Sequence, residues 1–359
     1  MTFKNKYSRV DRWLHKLAFA TPRMQLDFAE QEDEAFRKQA GVPNEPSAPV
    51  FITAMPRAGT TLLLNILAAA PQFASHTYRD MPFLLAPLKW NALSKGFRQP
   101  DALRERAHAD GIMVSADSPE AFEEMLWMAH WRGHYLPDRV RPCSASETQA
   151  GFLPFLRTHM LKIAELRRPG QGARYISKNN GNIARLGWLA THCPDATIIL
   201  PYREPVQHAA SLLRQHLRFS EMHAADPFAS AYMRGVGHLE FGENLRPIDF
   251  DGWLDSSPWR DPTRLEFWLA YWIAAYRQVP ALAQSVPQMM VLGYDSFCAQ
   301  PGAQLAIVNA RLGLAEGTLA AGDVKKLADK PVDLVGVDAA LVDEARTLFD
   351  ALEAVRVRV

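Results

Sequence analysis

Residues 50–64 read VFITAMPRAGTTLLL, and this stretch decides the fold of the chain. It opens with a short apolar run between Pro49 and Pro56, which is typical of a buried strand in a parallel sheet. The chain then turns at Gly59 and continues into an apolar, alanine-rich run that predicts a helix over residues 62–70. A strand, a tight glycine turn and a helix N-terminus together form an anion-binding device, because the first N–H groups of a helix are unpaired and its dipole is positive there.

Side chains in the turn strengthen this prediction. Arg57 supplies a fixed cation, and Thr60 and Thr61 supply hydroxyl donors, which together suit a phosphate or a group of similar shape. The alternative is a strand–turn–helix in which Arg57 merely faces water. The phosphate loop of nucleotide kinases has a glycine where this chain has Ala54, and a lysine where it has Thr60.

The segment Pro-Arg-Ala-Gly-Thr-Thr-Leu, residues 56–62, resembles the 5′-phosphosulfate loop of sulfotransferases that use 3′-phosphoadenylyl sulfate (PAPS). Lysine or arginine is usual at the second position of that loop. The resemblance implies that the phosphosulfate is bound by Arg57 and by the four residues that follow it, Ala58, Gly59, Thr60 and Thr61.

A second block carries the same resemblance. A hydrophobic strand predicted over residues 196–202 ends at Arg203, and a helix begins at Pro205, where a proline is favourable because its missing N–H has no partner to lose. Ser211 follows Arg203 by eight positions (211 − 203), about two turns into that helix. In sulfotransferases an Arg and a Ser in this arrangement bind the 3′-phosphate of the nucleotide. The alternative is a surface pair between Arg203 and Glu204, with Ser211 in solvent.

Two further segments extend the resemblance with departures from the family pattern. Residues 293–314 resemble the family's Tyr-Glu-Asp-Leu segment and the helix after it, but Asp295 and Ser296 replace Glu and Asp. We expect Tyr294 to be a packed residue at the end of a strand. Lys178 resembles a lysine of tyrosylprotein and related bacterial sulfotransferases that reaches the sulfuryl group, although two asparagines replace the usual Thr-Pro after it. The alternative is a loop lysine in water.

Sulfotransferases divide on the residue that acts as the base and takes the acceptor's proton. Cytosolic members use a His, whereas tyrosylprotein and glycan-modifying relatives use a Glu shortly after the loop helix. This chain has no Glu between Thr61 and Arg79, and Asp80 is the nearest carboxylate. His76 is the competitor, since an unperturbed histidine pKa near ~6.5 suits proton removal at neutral pH. We expect Asp80 to be the base and keep His76 as the alternative.

Composition describes an ordinary globular protein and excludes several classes. The 359 residues are 48% hydrophobic and 22% charged, and a net charge of +1 favours neither nucleic acid nor an anionic membrane surface as partner. Three cysteines form no CxxC pair, and the histidines form no HExxH motif, so we expect neither a disulfide framework nor a metal site. No window reaches the ~18 apolar residues of a membrane span, and no signal peptide is recognised, so we expect a cytoplasmic protein without an integral membrane segment.

Alternating strands and helices predict a three-layer α/β/α fold of P-loop type, with a central parallel sheet and helical insertions. We expect an N-terminal helical extension (residues 1–48), a sulfotransferase α/β domain (49–320) and a C-terminal helical segment (321–359). Within the domain, residues 84–148 and 220–262 are expected to be acceptor-side insertions, the second of them a long ordered loop or lid.

By resemblance, the predicted reaction is transfer of a sulfuryl group from PAPS to an acceptor hydroxyl or amine, which leaves adenosine 3′,5′-bisphosphate. Arg57 and Lys178 would neutralise charge on the transferred group, and no divalent metal is required. The acceptor is expected to be a small molecule, a glycan or a lipid. Two alternatives remain open: a P-loop kinase of a small hydroxylated substrate, and a nucleotide-binding module without catalysis.

Overall fold

The computed structural model describes residues 9–39, 41–43, 45–95, 104–105, 113–322, 324 and 330–357. The strands are β1 (Val50–Ile52), β2 (Phe73–Ala74), β3 (Arg104–Glu105), β4 (Met113–Val114), β5 (Arg174–Lys178), β6 (Thr197–Tyr202) and β7 (Met289–Gly293). The α-helices are α1 (Arg9–Ala20), α2 (Pro22–Arg37), α3 (Thr60–Ala68), α4 (Pro87–Ser94), α5 (Glu124–His130), α6 (Phe152–Arg167), α7 (Leu186–His192), α8 (Pro205–Ala225), α9 (Pro227–Gly235), α10 (Trp253–Ser256), α11 (Leu265–Tyr276), α12 (Val279–Ser285), α13 (Tyr294–Ala299), α14 (Pro301–Arg311) and α15 (Ala339–Val355).

Five strands form a parallel sheet in the order β2-β5-β1-β6-β7, and β3 and β4 form a separate antiparallel pair. Strand β1 is central: Ile52 lies opposite Lys178 of β5 on one side and opposite Ile199 of β6 on the other. The carboxyl ends of parallel strands meet at one edge, so the loops that follow β1, β5 and β6 lie side by side. This sheet and its flanking helices confirm the predicted fold class.

Alternate residues of each strand bury themselves on opposite faces of the sheet. Phe51, Ile198 and Val291 belong to a large core that the sheet shares with helices including α6, α8 and α11. Their neighbours Val50 and Ile199 belong to a second core that includes apolar residues of α3 and α14. Two cores on either side of one sheet give the three layers. Among the described helices, none has both the length and the apolar character that a membrane crossing requires.

The expectation of a long loop over residues 220–262 is wrong in part. Helix α8 continues to Ala225, and α9 begins at Pro227, two residues later. The side chain of Asp226 caps α9 by accepting hydrogen bonds from the N–H groups of Phe228 and Ala229, at 3.1 and 3.4 Å. A capping aspartate before a proline is a helix-start signal that outweighs the weak periodicity of this segment.

Within the described residues, the expected N-terminal helical extension consists of two helices, since α1 ends at Ala20 and α2 begins at Pro22. Helix α2 is joined to α6 by a buried ion cluster. The Lys162 ammonium lies 2.9 Å from Glu32 and 2.6 Å from Asp33. The expected insertion over residues 84–148 includes residues 96–103 and 106–112, which lie outside the described residues.

Candidate active site

Strand β1 leads into a loop with two residues in the left-handed backbone region. The φ angle is 72° at Arg57 and 86° at Gly59, and helix α3 begins directly afterwards at Thr60. Left-handed φ is unfavourable for an arginine, and such strain is concentrated at functional sites. The first N–H groups of α3 have no partners within their own helix. The loop therefore combines a strained turn with the positive end of a helix, as an anion-binding loop does.

His208 of α8 forms a hydrogen bond to this loop. Its Nε2 lies 2.7 Å from the carbonyl oxygen of Pro56, and its Nδ1 accepts a hydrogen bond of 3.2 Å from the indole N–H of Trp272. Because an indole nitrogen only donates, the imidazole proton is on Nε2 and is donated to Pro56. Burial, with a further contribution from the charges of Arg203 and Arg57, lowers the pKa of His208 to about 3. His208 is therefore a neutral ring that positions the loop.

The ring of Tyr294 packs against this loop at Gly59. A Cβ atom placed on Gly59 would lie 2.2 Å from Cε2 of Tyr294, so the ring packs directly on the glycine. This contact confirms that Tyr294 is a packed residue at the end of β7. The next residue, Asp295, accepts a hydrogen bond of 2.9 Å from the N–H of Glu204. The segment after β7 thus fixes both the loop and the turn between β6 and α8.

Arg203 follows β6 at the same edge of the sheet, and Ser211 lies two turns into α8. Both residues are only 8% exposed. Glu204 caps α8 by accepting a hydrogen bond of 2.7 Å from the N–H of Gln207. Within the part of the chain that the structure describes, the buried Nε of Arg203 makes no hydrogen bond. An unsatisfied buried donor is unfavourable by about 1–3 kcal/mol, so this position suits an anion from outside the chain.

Positive charge accumulates around the loop. Burial and then the charge of Arg203 lower the pKa of Arg214, one turn beyond Ser211. Arg203 and Arg57 both act on the ring of His208 as well, so their guanidinium groups lie near the same buried ring. Like charges at short range repel, and a bound anion would relieve the repulsion.

Lys178 ends β5 on the side of β1 opposite to Arg203. Its neighbour Asn179 donates its N–H to the carbonyl oxygen of Ile52, at 3.0 Å. The following residue, Asn180, accepts a hydrogen bond of 3.4 Å from the hydroxyl of Thr60. Neighbouring strands lie about 4.8 Å apart, so Lys178 leaves the sheet one strand away from the phosphate loop.

His76 lies in the core between β2 and α6. It is 1% exposed, its Nε2 is 2.9 Å from Nε2 of His159, and its ring packs edge-on against Tyr175. Burial and then the charge of Arg167 lower the pKa of His76 to about 3. A general base must come within hydrogen-bonding reach of the acceptor, and a fully buried ring does not. These contacts argue against the predicted role of His76 as the alternative base.

Asp80 ends the short 3₁₀ turn Tyr78–Asp80, and its contacts are those of a residue that holds the fold. One carboxylate oxygen accepts from the N–H of Thr77 at 2.9 Å, and both lie 2.5 Å from Nη2 of Arg167 on α6. The side chain is 2% exposed. Strand β2 also pairs with β5 and not with β1, so β5 lies between the strand that precedes Asp80 and the strand that precedes the loop. The predicted role of Asp80 as base stays a prediction that these contacts oppose.

A sequence model of the sulfotransferase family matches residues 49–240, which is more than half of the chain and includes the loop, Lys178, Arg203 and Ser211. This chain belongs to the sulfotransferase family.

Solved structures of bacterial sulfotransferases are also similar to it. Sulfotransferase STF1 from Mycobacterium tuberculosis H37Rv is 13% identical with a TM-score of 0.43, over 91% of this chain and 81% of that chain. A sulfotransferase from Alicyclobacillus acidocaldarius is 14% identical with a TM-score of 0.43, over 87% of this chain and 97% of that chain. STF9 from Mycobacterium avium is 16% identical with a TM-score of 0.43, over 90% and 79%. No curated protein matches the sequence. The family assignment rests on the match over residues 49–240.

Two buried carboxylates of this sulfotransferase, Glu123 and Glu124, were not predicted from the sequence. Glu123 is completely buried and accepts hydrogen bonds from four side chains, those of Trp127, Tyr175, Ser177 and Asn182. Glu124 pairs with Arg185 at 2.7 and 2.8 Å and accepts from Asn179 at 2.8 Å. Although burial raises it, the charge and hydrogen bonds of Arg185 leave the pKa of Glu124 below its usual value.

These two carboxylates fix the polar loop that follows Lys178. Residues 121–131 read AFEEMLWMAHW. Two adjacent carboxylates in such an apolar run are a sequence signal for buried charge. Buried carboxylates need donors, so the run indicates a polar network inside the protein. Positively charged side chains lie at two places in this site, at Arg57 in the loop between β1 and α3 and at Arg203 after β6. Among the described residues, no group of three or more His, Cys, Asp and Glu side chains could hold a metal ion.

Proposed function

We propose that this protein transfers the sulfuryl group of PAPS to an acceptor hydroxyl or amine and releases adenosine 3′,5′-bisphosphate. The observation that carries the proposal is the position after β6, where the buried Nε of Arg203 is unsatisfied within the described residues and Ser211 lies on the adjoining helix. PAPS brings a phosphate on its 3′-oxygen to that position. ATP has a free 3′-hydroxyl there and leaves the guanidinium without an anion.

The phosphate loop would bind the other end of the donor. Its 5′-phosphosulfate would lie in front of the Arg57 side chain and the first turn of α3. The groups proposed to bind it are Arg57, Ala58, Gly59, Thr60 and Thr61. The strained φ angle at Arg57 and the buried support from His208 keep these groups in place before the donor arrives. Preorganised donors of this kind stabilise charge without reorganisation during the reaction.

Lys178 would act on the sulfuryl group from the neighbouring strand. Its position opposite Ile52 supports a role in neutralising the sulfuryl oxygens and the bridging oxygen as the sulfur–oxygen bond breaks. The catalyst then has two tasks: to hold donor and acceptor in line, and to stabilise the charge on the leaving phosphate. The donor side rests on Arg57, Lys178, Arg203 and Ser211, and the acceptor's proton requires a further group.

Thermal unfolding with and without nucleotide tests the proposal. Adenosine 3′,5′-bisphosphate in the presence of a chelator should raise the melting temperature by several degrees, because ligand at 100 times its Kd stabilises the folded state by about 2.7 kcal/mol. A kinase would respond to ATP with magnesium and not to adenosine 3′,5′-bisphosphate. Transfer of label from PAPS to a panel of small-molecule, glycan and lipid acceptors then separates an enzyme from a binding module, which would show the shift without turnover.

A further inference from the structure

Glu240 lies beside the phosphate loop, in the segment that follows α9. Its Oε1 accepts a hydrogen bond of 3.1 Å from the side-chain N–H of Asn180. The Oδ1 of the same asparagine accepts from the hydroxyl of Thr60, the first residue of α3, at 3.4 Å. Two hydrogen bonds therefore connect this carboxylate to the helix that would bind the phosphosulfate. Asn180 also follows Lys178 by two positions, so both residues lie where β5 ends and the next loop begins.

The segment carrying Glu240 contacts both the turn after β5 and helix α8. Two residues before it, the ring of His238 stacks on Phe219 of α8, with 5.0 Å between centroids and an interplanar angle of 7°. Helix α8 follows β6, whereas Asn180 follows β5, and β1 lies between these two strands. Through Asn180, Glu240 therefore lies beside the turn that follows β5, one strand away from β1 and from the loop that follows β1.

The state of Glu240 differs from that of the other carboxylates near this edge. Asp80 and Glu124 are buried in pairs with arginines, and Glu123 is completely buried among donors. The side chain of Glu240 is 25% exposed, and no lysine or arginine within the described ranges forms an ion pair with it. Glu240 is therefore a partly exposed carboxylate that has no ion pair with a lysine or arginine among the described residues.

The second oxygen of Glu240 has capacity for a proton donor. Oε2 is buried, makes no hydrogen bond to the residues that the structure describes, and lies 3.3 Å from Nδ1 of His238. The phenol of Tyr271 on α11 is the other titratable group that senses this carboxylate, since burial and then the Glu240 charge raise the pKa of Tyr271. A carboxylate with one oxygen held by Asn180 and the other without a hydrogen bond keeps the capacity to bind a proton.

We propose that Glu240 is the catalytic base of this sulfotransferase, an assignment that rests on the proposed function. The acceptor oxygen forms a bond to sulfur while the bond between sulfur and the bridging phosphate oxygen breaks. The electron pair of that bond leaves with adenosine 3′,5′-bisphosphate. The proton of the acceptor O–H or N–H passes to the Glu240 carboxylate, and Asn180 holds that carboxylate in register with the phosphate loop.

Glu240→Gln tests this assignment, with Glu243→Gln as the matched control on an exposed carboxylate three positions away. Glutamine keeps an oxygen that accepts from Asn180 but does not take the proton. Transfer of label from PAPS is measured to water or to the best acceptor of a panel, and affinity for adenosine 3′,5′-bisphosphate is measured by calorimetry. We expect turnover of Glu240→Gln to fall about 10²-fold or more, with nucleotide affinity unchanged and Glu243→Gln equal to wild type.

Chemical rescue separates a base from a residue that only positions others. In Glu240→Ala, added formate should raise turnover in proportion to its concentration, because a small carboxylate replaces the missing one. Wild-type turnover in Glu240→Gln, or a rate in Glu240→Ala that formate does not change, would overturn the assignment. Wild-type protein that fails to bind adenosine 3′,5′-bisphosphate or to turn over PAPS would instead contradict the proposed function.

Discussion

Gly59 is the residue whose replacement the phosphate loop tolerates least. Its φ angle of 86° belongs to the left-handed region, and its missing side chain leaves the space that the ring of Tyr294 occupies. A Cβ atom there would lie 2.2 and 2.3 Å from two ring carbons, closer than any real contact. A left-handed alanine adds about 1–2 kcal/mol of backbone strain. An alanine at this position must therefore displace the ring, the loop, or both.

We predict that Gly59→Ala weakens binding of adenosine 3′,5′-bisphosphate at least about tenfold, equivalent to ~1.4 kcal/mol, because the loop N–H groups move. Gly172→Ala is the matched control, since Gly172 also has a positive φ, 63°, but has open space where a Cβ would stand. Adding Tyr294→Ala to Gly59→Ala removes the clash and should restore part of the affinity. Calorimetric titration measures all three variants. Wild-type affinity in Gly59→Ala alone would show that the loop does not bind the nucleotide.

The loop before α3 and the junction between β6 and α8 could be predicted from the sequence because their signals are local. Arg57 and Gly59 lie within one turn, and Arg203 and Ser211 lie on one strand–helix junction. The contacts that oppose the predicted bases are, in contrast, not local. Arg167 lies 87 positions from Asp80, and this pairing depends on the packing of α6 against β2. No local sequence pattern indicates that a carboxylate forms an ion pair with an arginine far away in the sequence.

At the scale of elements, Asp80 joins the turn after β2 to helix α6. We predict that Asp80→Asn lowers the free energy of unfolding by about 3 kcal/mol, since removing one partner of a buried pair leaves the charge of Arg167 uncompensated. Affinity for adenosine 3′,5′-bisphosphate should not change. Asp117→Asn is the control, because Asp117 pairs with Arg79 at the surface with 64% of its side chain exposed, where such pairs contribute about 0–1 kcal/mol.

Urea unfolding and turnover measured on the same Asp80→Asn preparation decide between the two roles of Asp80. An unchanged urea midpoint together with turnover reduced about 10²-fold would reinstate Asp80 as the base. A lower midpoint with proportionate activity of the folded fraction supports the role in the fold.

Strands and helices with strong local signals could be predicted, whereas the polar network between them could not. The apolar run of β6, the proline that opens α8 and the glycine turn before α3 are visible in the sequence. Glu123 accepts hydrogen bonds from Tyr175 and Asn182, which are more than 50 positions away. Glu240 and its partner Asn180 are also more than 50 positions apart in the sequence. Such partners become neighbours only through the strand order of the sheet, which the sequence pattern does not determine.

At the scale of the whole molecule, the core encloses neutral histidines. His76 and His208 have pKa values lowered to about 3, chiefly by burial, against an ordinary value of 6.5. Between these values the unfolded chain binds more protons than the folded chain, so stability falls as the pH drops below about 6.5. Each such residue should reduce the free energy of unfolding by about 1.4 kcal/mol per pH unit in this range.

We therefore predict a clear loss of stability between pH 7 and pH 5, of about 2 kcal/mol for each of these two histidines. Urea unfolding curves at the two pH values measure the change. His76→Gln, which removes one of these titrating histidines, should make the curves less dependent on pH even though it lowers stability at pH 7. Equal midpoints at pH 7 and pH 5 in the wild type would contradict the buried neutral state of these rings.

The central claim is that the site recognises a nucleotide with a 3′-phosphate, and one titration tests it directly. Wild-type protein should bind adenosine 3′,5′-bisphosphate more tightly than AMP by at least ~1.5 kcal/mol, or roughly tenfold, because Arg203 and Ser211 bond to the additional phosphate. In Arg203→Ala this preference should largely disappear while the affinity for AMP changes little. Calorimetric titration of both nucleotides against both proteins gives the answer. Equal affinity of the wild type for the two nucleotides would contradict the account.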